Sequence, residues 1–324
     1  MKPKLVSLGQ ASLNDPEAVV LTYSSMHTFL TCPRRYYWRY ERGIEPKEQS
    51  FHLLVGTLAH RGLAILRRTS STMKALQAIP KEDRAGMLAA FLVKEYAGYW
   101  GCKTKGSRFV PELTFAIELG DKLVFAGKLD AIEHKLKESW IWEDKTASRI
   151  DDDYLAKLPL DRQVTSYLFA AAVSEACTKT GNLSRKVAGV IYNILLKPTK
   201  YMRAGEDYDE YLLRCKADYL ANPEAYYVRQ RCYRSQTDFE DLLDDIRHVA
   251  MMVRLCRRED YWPMNCTQCF APQRTCDYPP LCMHEDSATL LRYHKIEAMQ
   301  ELSQTETPRK GKAKGGTKRA KHSK

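Results

Sequence analysis

The sequence predicts an α/β protein built on a mixed central β-sheet flanked by helices. Three observations predict it. Residues 111–118 (PELTFAIE), 122–134 and 139–146 alternate apolar and polar side chains at period two, the pattern of half-buried strands. Residues 187–197 (VAGVIYNILLK) form a continuous apolar run of strand length, expected of a strand buried on both faces. Between them, residues 161–178 carry apolar side chains at helical spacing. The resulting order is helices, three strands, a helix, a strand and further helices, which suits a mixed sheet covered by helical layers.

The elements follow in chain order. Residues 1–20 read as an irregular or edge segment. Residues 24–40 open with a serine able to cap a helix, and Pro33 interrupts or restarts that helix. Residues 52–68 and 81–100 read as helices, the second starting near Asp83. After the strand at 187–197, helices are expected at about 206–221 and 237–258. A loop rich in Cys and Pro fills 260–283, and a last helix spans 286–303. There are no internal repeats. Residues 1–303 are read as one domain, and 304–324 as a disordered basic tail.

Composition narrows the function classes. With 44% hydrophobic residues in 324, the chain can bury a large core. Its first 30 residues hold no secretory pattern, and it has no run of 18 apolar residues, so no membrane partner is expected. The expected location is a reducing cytoplasm, where ten cysteines read as thiols or metal ligands rather than disulfides. The net charge is +11, but residues 307–324 hold eight Lys or Arg and no acid, which leaves +3 for the rest. Such a tail attracts phosphate backbones by counterion release, without reading sequence. A merely solvated end is the other reading.

The sharpest chemical feature is the pair Gly127-Lys128-Leu129-Asp130 and Glu143-Asp144-Lys145. Glu143 and Lys145, two apart in a strand, share a face. A hairpin symmetric about residues 135–138 sets Asp130 directly across from Glu143, with Cβ atoms roughly 5 Å apart. Opposed carboxylates repel, and a hard divalent cation removes the conflict. There the ion can polarise a phosphate and activate a water, while Lys145 holds that water or the developing charge. A solvated strand face screened by Lys145 is the competing reading.

Four cysteines stand apart: Cys32, in a Cys-Pro step at the helix break, and Cys269, Cys276 and Cys282 in the Pro-rich loop. Four thiolates can hold zinc or an iron–sulfur cluster. Cys266 makes five candidates for four places, with spacing favouring Cys269. Cys102, Cys177, Cys215, Cys232 and Cys256 are isolated and read as buried free thiols. Basic and aromatic residues interleave at Arg34–Tyr40 and again through Tyr226, Tyr227, Arg229, Arg231, Tyr233 and Arg234. This texture suits stacked bases beside neutralised phosphates. The expectation is mixed, with some rings in the core and the arginines on DNA.

An Asp followed after a short hairpin by Glu-x-Lys resembles the PD-(D/E)XK nuclease superfamily. Three further stretches resemble its RecB-like branch in the same order: Gly56-Thr57-Leu58-Ala59-His60, Gln163-Val164-Thr165-Ser166-Tyr167, and Ser25 through Tyr40 with Cys32-Pro33. The resemblance spans roughly residues 22–283 and implies a restriction-endonuclease-like core. It implies that His60, Asp130 and Glu143 bind Mg2+ or Mn2+ with the backbone carbonyl of Asp144, and that Lys145 is the catalytic lysine. Gln163 and Tyr167 would orient the site and touch DNA, and Glu112 would be an additional acid near the metals. The one-plus-three cysteines resemble those of AddB-type and CRISPR-associated exonucleases, which implies a 4Fe–4S cluster on Cys32, Cys269, Cys276 and Cys282 tying the two ends of the domain together.

The implied activity is that of a metal-dependent DNA nuclease, an exonuclease that hydrolyses phosphodiester bonds at DNA ends in recombination, repair or phage DNA processing. The implied partner is DNA, single-stranded or an end-containing duplex. No G-x-x-x-x-G-K-[ST] motor motif occurs, so the resemblance also admits a separate helicase, an annealing protein or a homo-oligomeric ring as partner. A DNA-binding recombination accessory protein without cleavage activity is the alternative, and a zinc-stapled regulator a third reading.

Overall fold

A computed structural model describes residues 3–7, 15, 17–101, 106–177, 186–271, 274–297, 299 and 302. The basic tail, Cys102, the Cys177 side chain and residues 298, 300, 301 and 303 of the expected last helix lie outside the described residues.

The chain opens with two short strands, β1 (Lys4–Leu5) and β2 (Val19–Leu21), then α1 (Tyr23–Thr31). Thr22 and Ser25 form a reciprocal capping box at the start of α1. Pro33 does end that helix. It begins α2 (Pro33–Tyr36), which widens into a π turn at Tyr37–Glu41 and leads to β3 (Ile44–Pro46). Then come α3 (Phe51–Thr69), α4 (Thr72–Gln77) and α5 (Arg84–Trp100). Strands β4 (Arg108–Gly120), β5 (Leu123–His134) and β6 (Ser139–Ala147) match the three period-two segments. After α6 (Asp152–Ala156) and α7 (Arg162–Cys177), the apolar run forms β7 (Val187–Leu196). Next are α8 (Tyr208–Ala221), α9 (Pro223–Tyr226), β8 (Tyr227–Cys232) and α10 (Gln236–Glu259). The Cys-rich loop holds β9 (Phe270–Ala271), β10 (Arg274–Thr275) and α11 (Pro279–Met283), followed by α12 (Ser287–Leu290) and β11 (Tyr293–Lys295).

The main sheet runs β1-β4-β5-β6-β7-β8, with β2 paired beside β5. The β4–β5, β5–β6 and β7–β8 pairs are antiparallel, whereas β6–β7 and β2–β5 are parallel. The sheet is mixed, as expected, and α7 is the crossover between parallel β6 and β7. Helices α3, α5 and α8 pack with Leu195 and Leu196 in one core. Helices α1 and α10 close another over Ile117, Leu123 and Phe125, and α7 a third over Ile141, Val190 and Ile194.

One expectation is corrected. The last helix does not run over 286–303: it ends at Leu290, and Tyr293–Lys295 turns back to pair with β3. Tyr293 is buried against Tyr278 and donates to Asp277 O, so tertiary packing overrides local helix propensity. The segment 227–232, to which periodicity assigned no element, is a strand that completes the edge beside β7.

Candidate active site

The site forms where β5 and β6 part. The turn at 135–138 is as expected, with Lys135 N donating to Glu138 O and His134 opposite Ser139. The register would next oppose Asp130 to Glu143, but the ladder ends one pair short, at Ala131–Trp142. On the other side, the β4–β5 ladder omits Glu112 and Asp130, and Glu112 takes a left-handed φ of 57°. Asp130 is therefore free of both ladders, and its carboxylate is re-aimed, as irregular strand positions beside active sites permit. It accepts the Asp144 amide at 2.8 Å through Oδ2 and faces His60 Nδ1 at 3.2 Å through Oδ1. The two acids thus converge through the Asp144 backbone, not by direct cross-strand pairing.

His60 comes from α3, which approaches the strand closely at Gly56; an added Cβ there would lie 3.4 Å from Thr146 Oγ1. On the other strand face, Glu143 and Lys145 form an ion pair. Lys145 Nζ donates to Gln163 Oε1 at 2.7 Å, and Gln163 Nε2 donates to the Tyr167 hydroxyl at 2.8 Å. The Tyr167 hydroxyl in turn faces Glu143. Asp161 caps α7 by accepting Gln163 N at 2.8 Å, which fixes the start of the helix that presents this pair. His60, Asp130, Glu143, Lys145, Gln163 and Tyr167 all line one pocket of about 170 Å3.

The charges are arranged unevenly. Burial pushes the Glu143 pKa up, Asp130 adds to the rise, and Lys145 opposes it. Burial would raise Asp130 as well, but His60 and the Asp144 amide hold it well below the carboxylate range. Burial would lower His60, yet Asp130 outweighs it and lifts the imidazole to about 9. Glu143 likewise outweighs burial at Lys145, so its ammonium is retained. Glu143 Oε2 is buried with no hydrogen-bond partner, a costly state that a cation would relieve. Carboxylates, an imidazole and a backbone carbonyl suit Mg2+ or Mn2+. Among the described residues, however, no three His, Cys, Asp or Glu side chains already form a closed metal cage.

Asp144 points its side chain away from the pocket. It is gripped bidentately by Arg67 and accepts Asn193 Nδ2 at 2.7 Å. Asn193 faces Asp144 across the parallel β6–β7 pair. Behind them, Arg229 donates to Asn193 Oδ1 at 3.2 Å and stacks 3.5 Å over Trp100. Sequence reasoning missed Arg67, Asn193 and Arg229. A signal existed: Asn193 is a polar residue inside an apolar run, and a buried amide needs a partner. Glu112 lies nearby but is paired with Arg68 at 3.0 Å and Lys128 at 3.9 Å.

The expectation for the arginines needs correcting. Arg34 donates to Trp262 O, Arg39 pairs with Glu45, and Arg229 is sandwiched by aromatic rings. Arg234 donates to Leu158 O, Asp161 O and Thr165 Oγ1, bracing the start of α7. These guanidiniums hold the fold; Arg231 and Tyr233 are the exposed members of the second group.

The cysteines sit where the chain's two ends meet. Asn265 N donates to Cys32 Sγ at 3.4 Å, and Cys276 N to Cys269 O at 3.0 Å. Burial raises the Cys269, Cys276 and Cys282 thiols, and the neighbouring cysteines, Cys32 among them, add to the rise. All eight cysteines whose side chains are described are free thiols. The buried Trp38 Nε1 has no nitrogen or oxygen acceptor and faces the Cys282 sulfur, while Arg35, with its Nε unpaired, lies beside Cys276. N–H donors beside Cys276 and Cys282 would suit anionic thiolates, but among the described residues the cysteines do not come together as a group able to hold a metal ion. Aromatic packing joins the same ends, with Trp262 stacked on Tyr36 at 5.7 Å.

The profile of the PD-(D/E)XK nuclease superfamily matches residues 20–283, well over half of the chain. The chain belongs to the PD-(D/E)XK nuclease superfamily. A comparison with curated proteins finds no match. Among the described residues no helix is long and apolar enough to cross a membrane.

Proposed function

We propose that this chain is a metal-dependent deoxyribonuclease of the RecB-like branch that hydrolyses phosphodiester bonds at DNA ends during recombination, repair or phage DNA processing. The observation that carries the reading is the convergence of Asp130, Glu143 and Lys145 on one pocket with His60, Gln163 and Tyr167. His60, Asp130, Glu143 and the carbonyl of Asp144 would hold Mg2+ or Mn2+, which when bound polarises a phosphate and activates water. Lys145 presents a retained ammonium to the phosphate and stabilises charge as it develops. Gln163 and Tyr167 fix the direction of that ammonium.

The same reading gives Cys32, Cys269, Cys276 and Cys282 a structural 4Fe–4S cluster, with Cys266 the alternative to Cys269. Anaerobically purified protein should then be brown, whereas a zinc staple is colourless. Residues 1–303 would be the nuclease domain and 304–324 a phosphate-attracting tail.

An accessory DNA-binding role is the second reading. It is favoured by the internal neutralisation of the acids: Asp130 by His60, Glu143 by Lys145, Asp144 by Arg67. Stripping metal with a chelator and restoring Mg2+ tests the two. The nuclease reading expects cleavage to stop and return, and to be absent in Asp130→Asn. Binding without cleavage under every condition would favour the accessory role.

A further inference from the structure

Helix α1 carries two stripes. Ser25, Met26 and Phe29 face the core, whereas Tyr23, His27 and Leu30 fall at i, i+4 and i+7 on an outer face. On that outer face Tyr23 is half-buried, His27 is exposed and Leu30 is 61% exposed. The Tyr23 and His27 rings stack at 6.0 Å with 20° between planes. Opposite them stands Leu160, 80% exposed, in the turn that precedes α7. Between these walls runs a groove of about 370 Å3. Tyr23 lines both this groove and the pocket that holds Lys145 and Glu143, so the two spaces adjoin at its side chain.

The lining says what fits. Its charges balance, since Lys157 and Arg162 are offset by Asp161 and Asp245, and Arg162 pairs with Asp245 at 2.9 Å. Asp161 is further occupied in capping α7. A balanced groove has little net pull on phosphate. Flat rings and exposed leucines instead suit an uncharged planar group, and every nucleobase offers a π face. A phosphate held beside Lys145 brings its own base and its neighbours' bases, and the groove is the adjoining space.

We propose that the groove between α1 and Leu160 is a base-stacking subsite, in which Tyr23 and His27 hold an unpaired base of single-stranded DNA next to the scissile phosphate. This rests on the nuclease reading for the position of that phosphate. It assigns a strand preference, because a duplex base enters only after unpairing and unstacking. Single strands and frayed ends therefore enter more readily than blunt duplex.

The test uses full-length protein carrying Lys145→Ala, so that bound DNA stays intact, and single-stranded oligonucleotides with 2-aminopurine at successive positions. The expected result is fluorescence quenching at one position only. Tyr23→Ala should abolish it and weaken single-strand affinity roughly five- to hundredfold. Tyr23→Phe should retain both, since stacking needs the ring and not the hydroxyl. Leu160→Ser, on the opposite exposed wall, should reduce the quench with an unchanged melting temperature. Unchanged quench and affinity in Tyr23→Ala and Leu160→Ser would overturn the subsite. Cleavage by the otherwise wild-type chain is scored separately: its absence defeats the nuclease reading, while the quench decides the groove.

Discussion

Glu143 and Asp144 are adjacent carboxylates with opposite surroundings. Glu143 keeps one buried oxygen without a partner, whereas both oxygens of Asp144 are taken by Arg67 and Asn193. The account therefore gives Asp144 two duties: its backbone serves the site, and its side chain serves the fold. Removing Arg67 alone strands a buried charge, and Arg67→Met should cost about 3–5 kcal/mol in urea unfolding. The double variant Arg67→Met, Asp144→Leu removes both charges and should recover most of that loss. It should also keep metal-dependent cleavage within roughly 10- to 100-fold of wild type, as expected for an outer support. Glu143→Ala should abolish cleavage. A dead double variant with wild-type stability would show that the Asp144 carboxylate does chemistry. The Glu-x-Lys spacing was readable from the sequence. The grip of Arg67 was not, because it joins residues 77 apart in the chain.

At the scale of elements, strand alternation revealed β4, β5 and β6, and the apolar run revealed β7. What periodicity could not show is the interruption at Asp130, since the register either side of it is regular. Gly127 illustrates how tightly this stretch is packed: an added Cβ would meet the Phe115 ring at 2.5 Å. Gly127→Ala should destabilise by about 1–3 kcal/mol, and Phe115→Leu should relieve part of it, as read by thermal melts. The edge strand β8 was hidden because its Tyr227–Cys232 stretch is short and lies between helices, and only pairing with β7 defines it. Acid should loosen the start of α8. The Arg214 side chain and the Arg203 amide hold the Glu206 pKa at about 2 against an ordinary 4.5. A depressed folded pKa stabilises above the unfolded value, so this contribution is full above 4.5 and fades as pH falls toward about 2. Hydrogen-exchange protection across 208–221, taken relative to the intrinsic amide rate at each pH, should fall in that window, and Glu206→Gln should flatten the response.

At the scale of the molecule, hydrogen bonds, an ion pair and strand pairing join residues 41–46 to residues 257–295. Arg257 grips Glu41, Tyr278 donates to Ile44 O, and β11 pairs with β3. This closure was not legible in the sequence, because it depends on the chain reversing after Leu290. Beyond the described residues, the basic tail gives a prediction from sequence alone. Deleting 304–324 should weaken DNA binding at low salt and flatten the slope of log affinity against log salt by about 0.9 for each phosphate the tail neutralises. An unchanged slope would make the tail a bystander.

The measurement that bears most directly on the account is degradation of end-labelled linear DNA with Mg2+ by anaerobically purified protein, beside Lys145→Ala. The account predicts release of label by the wild type and none by the variant, with equal melting temperatures and retained DNA binding. Cleavage by Lys145→Ala at the wild-type rate, or by neither protein while both bind DNA, would contradict it.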